Sequence, residues 1–389
     1  MRKGLCGLAA LMFAPALDAQ TLHVPTMFPT VQDALDAAPS GAVVVVHGGT
    51  WGPITITRPV TLIGDPTPII GGLDGFSSPI TLAGSGTGQV TLSSIHAGDS
   101  FPDSIVSAVP PPGIQGGGFD ELYIADSGIV APTRGQFGCT GLGLGNSAID
   151  VDVPLLVLER SFAIGGGACI DDACTGAPPD WIPPPAIVAG TVVMLDSGAQ
   201  GGSNGSFQNV NWPTDAECDP ANCPFLPGGT GVSCGTLYFN GSVPLAFGGQ
   251  GARWSPCSGS FCCQSPNGQD VIASQVVALP DVIAIGNTVG RRITLILSAP
   301  GPLARLLVAD DLVSPSLVPG FGYSFLDPGT TRSLGAVATP GTVAFDLPRV
   351  LSLIGRTIAF QLMDPTVGLS EPVSVAFFPQ PTSDAPRRR

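Results

Sequence analysis

In 389 residues the chain carries 53 Gly and 40 Pro but only 11% charged side chains, against roughly 25% in an average soluble domain. Glycine and proline at that density interrupt long helices, and an apolar fraction of 44% with so little charge is not that of a disordered chain. The formal charge of −14, with Lys3 as the sole lysine, excludes the basic face that nucleic-acid binding needs and disfavours an acidic membrane surface.

Arg2 and Lys3, the apolar run 5–17 and the small Ala19 spell an export signal over residues 1–19. A buried N-terminal helix is the alternative reading. No later stretch reaches the ~18 apolar residues that span a bilayer, so the expected product is extracellular or held at the cell surface, without a transmembrane segment. Next, Val31, Ala34, Leu35 and Ala38 recur at helical spacing, predicting a short amphipathic helix. Thr30 with Asp33 starts it and Pro39-Ser40-Gly41 stops it.

Short β-branched runs follow at 43–46, 54–57 and 60–63, the last ending at Gly64-Asp65-Pro66. Similar strands recur at 81–82, 89–92, 122–125, 155–158, 191–195 and 236–239. Taking Val60, Val90, Leu122, Leu155, Val192 and Leu237 as equivalent points gives intervals of 30 to 45 residues. Such irregular periods fit a solenoid whose coils carry inserted loops of differing length. Each coil would stack about 4.8 Å from the last, with the helix covering an open end. Roughly six to nine coils over 42–265 are expected.

Within that region lie nine cysteines, from Cys139 to Cys263; Cys6 falls in the export signal. Cys169 with Cys174, Cys218 with Cys223, and Cys257 with Cys262 share one spacing and are expected to form local disulfides in an oxidising compartment. Cys139, Cys234 and Cys263 are left over, so one thiol is free or the pairing differs. A zinc cluster is the weaker alternative, because its two-residue spacing is missing and His23, His47 and His96 all precede these cysteines.

From residue 271 cysteine vanishes and apolar residues alternate, as at Ile293/Leu295/Leu297, Val343/Phe345/Leu347, Ile358/Phe360/Leu362 and Val373/Val375/Phe377. That pattern predicts antiparallel strands with one buried face. The expected fold is therefore all-β, a parallel β-helix solenoid over 20–268 followed by a small C-terminal β-sandwich over 269–381. The polar tail 382–389 is expected to be disordered.

The stretch 28–51, FPTVQDALDAAPSGAVVVVHGGTW, followed by PVTLIGD at 59–65, resembles the opening of right-handed parallel β-helix proteins, and pectin methylesterases begin in a very similar way. The resemblance covers about residues 28–72. It implies a pectate-lyase-like, right-handed β-helix and, often, action on polysaccharides. The Gln-Asp and Gly-Thr-Val-Asp-Phe segments of pectin methylesterases do not follow. Of the polygalacturonase motifs only an Asp-Asp pair occurs, Asp171-Asp172, between Cys169 and Cys174, with no histidine or lysine after it.

Pectate-lyase-like chemistry would need acids near a basic residue. Asp120, Asp126, Arg134 and Arg160 are the catalytic candidates, with Glu121 beside them; for Arg134 and Arg160 a salt bridge with a neighbouring acid is the structural alternative. Asp171, Asp172 and Asp180 are candidate calcium ligands in a loop, or simply an acidic surface. Trp181, Trp212 and Trp254 sit in proline-containing loops, where a flat aromatic could stack on a sugar ring or pack the loop. The expectation is a non-enzymatic secreted or cell-surface protein that binds glycans or surface partners, with no cofactor unless it is calcium. A polysaccharide lyase, hydrolase or esterase with an unfamiliar site and a structural envelope protein are the alternatives.

Overall fold

The computed structural model describes residues 20–376 apart from 72–76, 86, 99–110, 132–144, 168–182, 204–205, 209–227, 241–244, 251–252, 256–262, 265–266, 286–291, 311, 319–321, 347–356 and 371. The described chain is all-β around one short helix. Its larger part is a parallel β-solenoid in which each full coil turns through three short strands. A representative coil runs Ile149–Asp152, Leu155–Glu159 and Phe162–Ile164. These strands lie parallel on Ile114–Gly117, Glu121–Ala125 and Gly128–Val130 of the coil before.

Three stacks result. The first runs from Thr21–Val24 through Ala42–Val46, Val60–Gly64, Gln89–Ser93, Glu121–Ala125 and Leu155–Glu159 to Ile187–Leu195, Val232–Phe239 and Val271–Ala278. The second starts at Ile54–Ile56, passes through Ile80–Ala83, Ile114–Gly117 and Ile149–Asp152, and merges with the first inside the long strand Ile187–Leu195. The third is a seven-stranded sheet from Thr50–Trp51 to Leu245–Phe247. Alternation along strands such as Ala42–Val46 points every second residue inward. Leu62, Leu92, Ile124, Leu158 and Met194 thereby form one buried column of a single core.

The helix Val31–Ala37 is where its spacing predicts it. Thr30 Oγ1 accepts the Asp33 backbone N–H at 3.1 Å and donates to Asp33 Oδ2 at 2.7 Å. Val31, Ala34, Leu35 and Ala38 join the solenoid core. The strand before it, Thr21–Val24, has no clear signature in the sequence and is held by parallel pairing to Ala42–Val46.

In one coil the register differs from the sequence expectation. The spacing equates Leu155 with Leu122 and Val192, whereas the ladder aligns Leu156 with both. The cause is that 155–158 is apolar throughout. Val157, on the outer face, is itself buried with Tyr123 and Leu195, so the alternation that would fix the register is missing.

The parallel ladder extends through Val271–Ala278. Beyond it, Asp281–Ile285, Arg292–Ser298 and Gly341–Asp346 form one antiparallel sheet. Leu303–Ala309, Arg332–Ala338, Thr357–Asp364, Gly368–Leu369 and Val373–Ala376 form another. Ile293, Leu295 and Leu297 from the first share a core with Leu306, Phe360 and Leu362 from the second, which makes the expected β-sandwich. Among the described residues no helix is long and apolar enough to cross a membrane.

Candidate functional site

Two of the four sequence-derived catalytic candidates meet. Asp126 and Arg160, 34 residues apart in sequence, occupy the same bend on adjacent coils, between the first stack and the third. Their neighbours in the column are Ser94 and Asp196. All four hold left-handed backbone, with φ of 54°, 48°, 45° and 46° from Ser94 to Asp196. Aspartate tolerates that region because its short side chain can bond locally, whereas arginine gains no such local bond. The stacking is fixed by backbone bonds, including Asp126 N–H to the Glu159 carbonyl at 2.9 Å and Arg160 N–H to the Leu195 carbonyl at 2.8 Å.

The residue after each bend turns inward and is buried: Ser127, Ser161 and Ser197. Each hydroxyl donates to the carbonyl two residues back and accepts an N–H from the preceding coil. The accepted bonds are Ile95 N–H to Ser127 Oγ at 3.0 Å, Ser127 N–H to Ser161 Oγ at 3.0 Å and Ser161 N–H to Ser197 Oγ at 3.1 Å. These serines satisfy backbone groups that would otherwise be buried without partners where the ladder breaks to turn the corner.

Outside the bend, Arg160 makes a bidentate contact with Asp126, Nε to Oδ1 at 2.7 Å and Nη2 to Oδ2 at 2.9 Å. A coil spacing of about 4.8 Å suits that fork. The Arg160 Nη1 group also bonds Glu159, whose other carboxylate oxygen accepts from the Tyr123 hydroxyl. Glu159 is only 6% exposed. On the next coils Asp196 and Asn240 close the row: Asn240 Oδ1 accepts the Asp196 N–H and Asn240 Nδ2 donates to Asp196 Oδ1, both at 2.9 Å.

The two acids that touch Arg160 are pushed in opposite directions. The Arg160 hydrogen bonds hold Asp126 below the usual carboxylate range, while burial raises Glu159 despite Arg160, with Asp196 adding to the rise. Arg160 is held protonated, chiefly by Asp126. The raised Glu159 binds its proton more tightly in the folded chain than in the unfolded one. Its contribution to stability is therefore complete below its ordinary value of 4.5 and is lost as the pH rises through the folded value. We expect the stability difference between Glu159→Gln and the parent, from urea midpoints, to shift in the variant's favour as the pH is raised from 4.5. A difference that stays flat with pH, or moves against the variant, would contradict that assignment.

Asp120 stands apart, at the opposite end of Glu121–Ala125 and about 20 Å from Asp126 at the usual strand rise. Its carboxylate accepts the Gly88 N–H at 2.9 Å and its own N–H bonds the Gly88 carbonyl, so it fastens a turn between coils. Glu121 bonds Gln89 on the coil before. Arg134, Asp171, Asp172, Asp180, Trp181 and Trp212 lie outside the described residues, as do residues 1–19, the tail and Cys139. The three expected disulfides fall there too: Cys169 with Cys174, Cys218 with Cys223, and Cys257 with Cys262 all lie outside the described residues. Trp254 lies on the strand Arg253–Ser255, which pairs with Ser206–Gln208 and with Cys263–Gln264. Cys234 is a free thiol, and burial pushes its pKa up to about 11. Among the described residues no three His, Cys, Asp or Glu side chains are grouped to hold a metal ion.

The sequence reading missed Tyr123, Glu159, Asp196 and Asn240, and also an exposed strip on the third stack. There His96, Gly128, Phe162, Gly198 and Leu245 share one register column. Phe162 is 47% exposed and Phe247, two positions along from Leu245, is 55% exposed. A Cβ on Gly128 would sit 2.9 Å from Phe162 Cζ and 3.1 Å from His96 Nδ1, so the absence of a side chain there is what lets the ring lean along the stack. No family model matches the chain, and neither the curated proteins nor the solved structures give a significant match.

Proposed function

We propose that the chain is an exported, pectate-lyase-like β-helix protein that binds glycans at the cell surface or outside the cell without chemically altering them. The observation that carries this reading is that each described acid among the catalytic candidates, and Glu159 beside them, is already engaged by a partner within the chain. Asp126 is held by Arg160, Glu159 is buried against Tyr123 and Arg160, and Asp120 fastens a turn. The exposed pair, Asp126 with Arg160, is closed on itself by a bidentate contact, whereas Phe162 and Phe247 offer exposed apolar area on the third stack on which a sugar ring can stack.

The test is incubation of the purified chain with a panel of polysaccharides, with and without calcium, reading retention and product mass together. Retention without new products is the expected result, and shortened or de-esterified products would overturn it. Phe162→Ala is expected to weaken retention about fivefold, equivalent to about 1 kcal/mol of stacking; unchanged retention would remove this strip from the site.

The enzymatic alternative has one specific observation behind it: Glu159 and Asp126 are shifted in opposite directions within one cluster, as a general acid and a partner carboxylate would be. It requires new products in the panel and their loss in Glu159→Gln.

A further inference from the structure

The two ends of the solenoid differ. At the N-terminal end the inward residues of the first strand, Leu22 and Val24, are 1% and 0% exposed, and Val31, Ala34 and Leu35 of the helix complete the core around them. At the other end the last strand, Val271–Ala278, pairs with Val232–Phe239 on one side and, among the described residues, has no strand on the other. Its inward positions continue the core columns, for Val276 aligns with Leu237. Yet Leu237 is fully buried and Val276 is 49% exposed, while Val271, Ala273 and Ala278 are only partly covered. Ile272 on the outer face is exposed as well.

We propose that this open end pairs with the same end of a second copy of the chain, the two Val271–Ala278 edges joining antiparallel about a two-fold axis. Three features select that occupant. Among the described residues this eight-residue edge has no strand beyond it, so it presents backbone N–H and C=O groups together with the terminal face of the core, and what fits both is another β-coil of the same cross-section. A head-to-tail stack would require the opposite end to be open, and there the core is sealed, so association closes at two copies. The segment VIASQVVA contains no ionisable side chain in a chain of charge −14, so this surface can meet its own copy without bringing like charges face to face.

The test is the mass of the purified full-length chain by light scattering over a concentration series from about 1 to about 100 µM. Twice the monomer mass at the upper end is expected, with the 271–278 amides protected from hydrogen exchange. Val276→Lys and Gln275→Lys each place a charge on the edge, the first inward and the second on the exposed side. Either variant with parental circular dichroism should raise the dissociation constant about tenfold or more. Monomer at every concentration, growth beyond two copies, or a dimer indifferent to a folded lysine variant would each overturn the proposal.

Discussion

Leu156→Ala is expected to lower the stability of the chain by about 3 kcal/mol, and Leu155→Ala by less than half of that, when both are measured by urea unfolding. The two leucines are adjacent, identical in chemistry and both in the strand Leu155–Glu159. Leu156 is fully buried in the column between Leu122 and Val192. Truncation there removes apolar contact and leaves a cavity walled by coils that cannot close on it, because their spacing is fixed by backbone hydrogen bonds. Leu155 points the other way, is partly exposed and can be replaced by water. Equal losses, or a larger loss at Leu155, would show that the register is the other one.

Arg160→Ala is expected to cost about 2 kcal/mol at neutral pH. Losing one partner of a buried ion pair costs about 3–5 kcal/mol, but the Arg160 side chain is about half exposed, so solvent screens part of the loss. What remains arises chiefly at Glu159, whose buried carboxylate loses the cation bonded to it and keeps the neighbouring charge of Asp196. Adding Glu159→Gln to Arg160→Ala should therefore recover about half of the loss, since an amide can still bond the Tyr123 hydroxyl and carries no charge. A cost under about 0.5 kcal/mol, or strict additivity of the two changes, would place the pair among surface contacts of no energetic weight.

Much of the architecture was legible from the sequence because its signals are local. The spacing of Val31, Ala34, Leu35 and Ala38 defines the helix, and alternation at Ile293, Leu295 and Leu297 defines a sandwich strand whose three residues are all buried. The coils were legible as a pattern of strands, but the register failed at Leu155 because both faces of that strand are covered. The cluster was harder to read. Asp126 and Arg160 were each singled out, and an ion pair with a neighbouring acid was one of the readings, but loops of unequal length hide which coil positions coincide. A signal was nevertheless present: Asp126-Ser127-Gly128, Arg160-Ser161-Phe162 and Asp196-Ser197-Gly198 are the same corner written three times. Aligned on the serine, they place Asp126, Arg160 and Asp196 in one column and leave Phe162 standing between two glycines.

That corner has a bearing on how such a chain changes over generations. Ser127 and Ser161 each answer the N–H of the coil before and hand their own N–H to the coil after, so neither corner depends on which coil it is. Excising the coil between Ser127 and Ser197 would set the Ser127 N–H opposite a hydroxyl equivalent to the one it lost, and duplicating that coil would supply both partners again. The body of the protein is thus free to lengthen or shorten in whole steps of about 4.8 Å. The loops that leave each coil can diverge independently, and the stock of exposed surface can grow by repetition rather than by redesign.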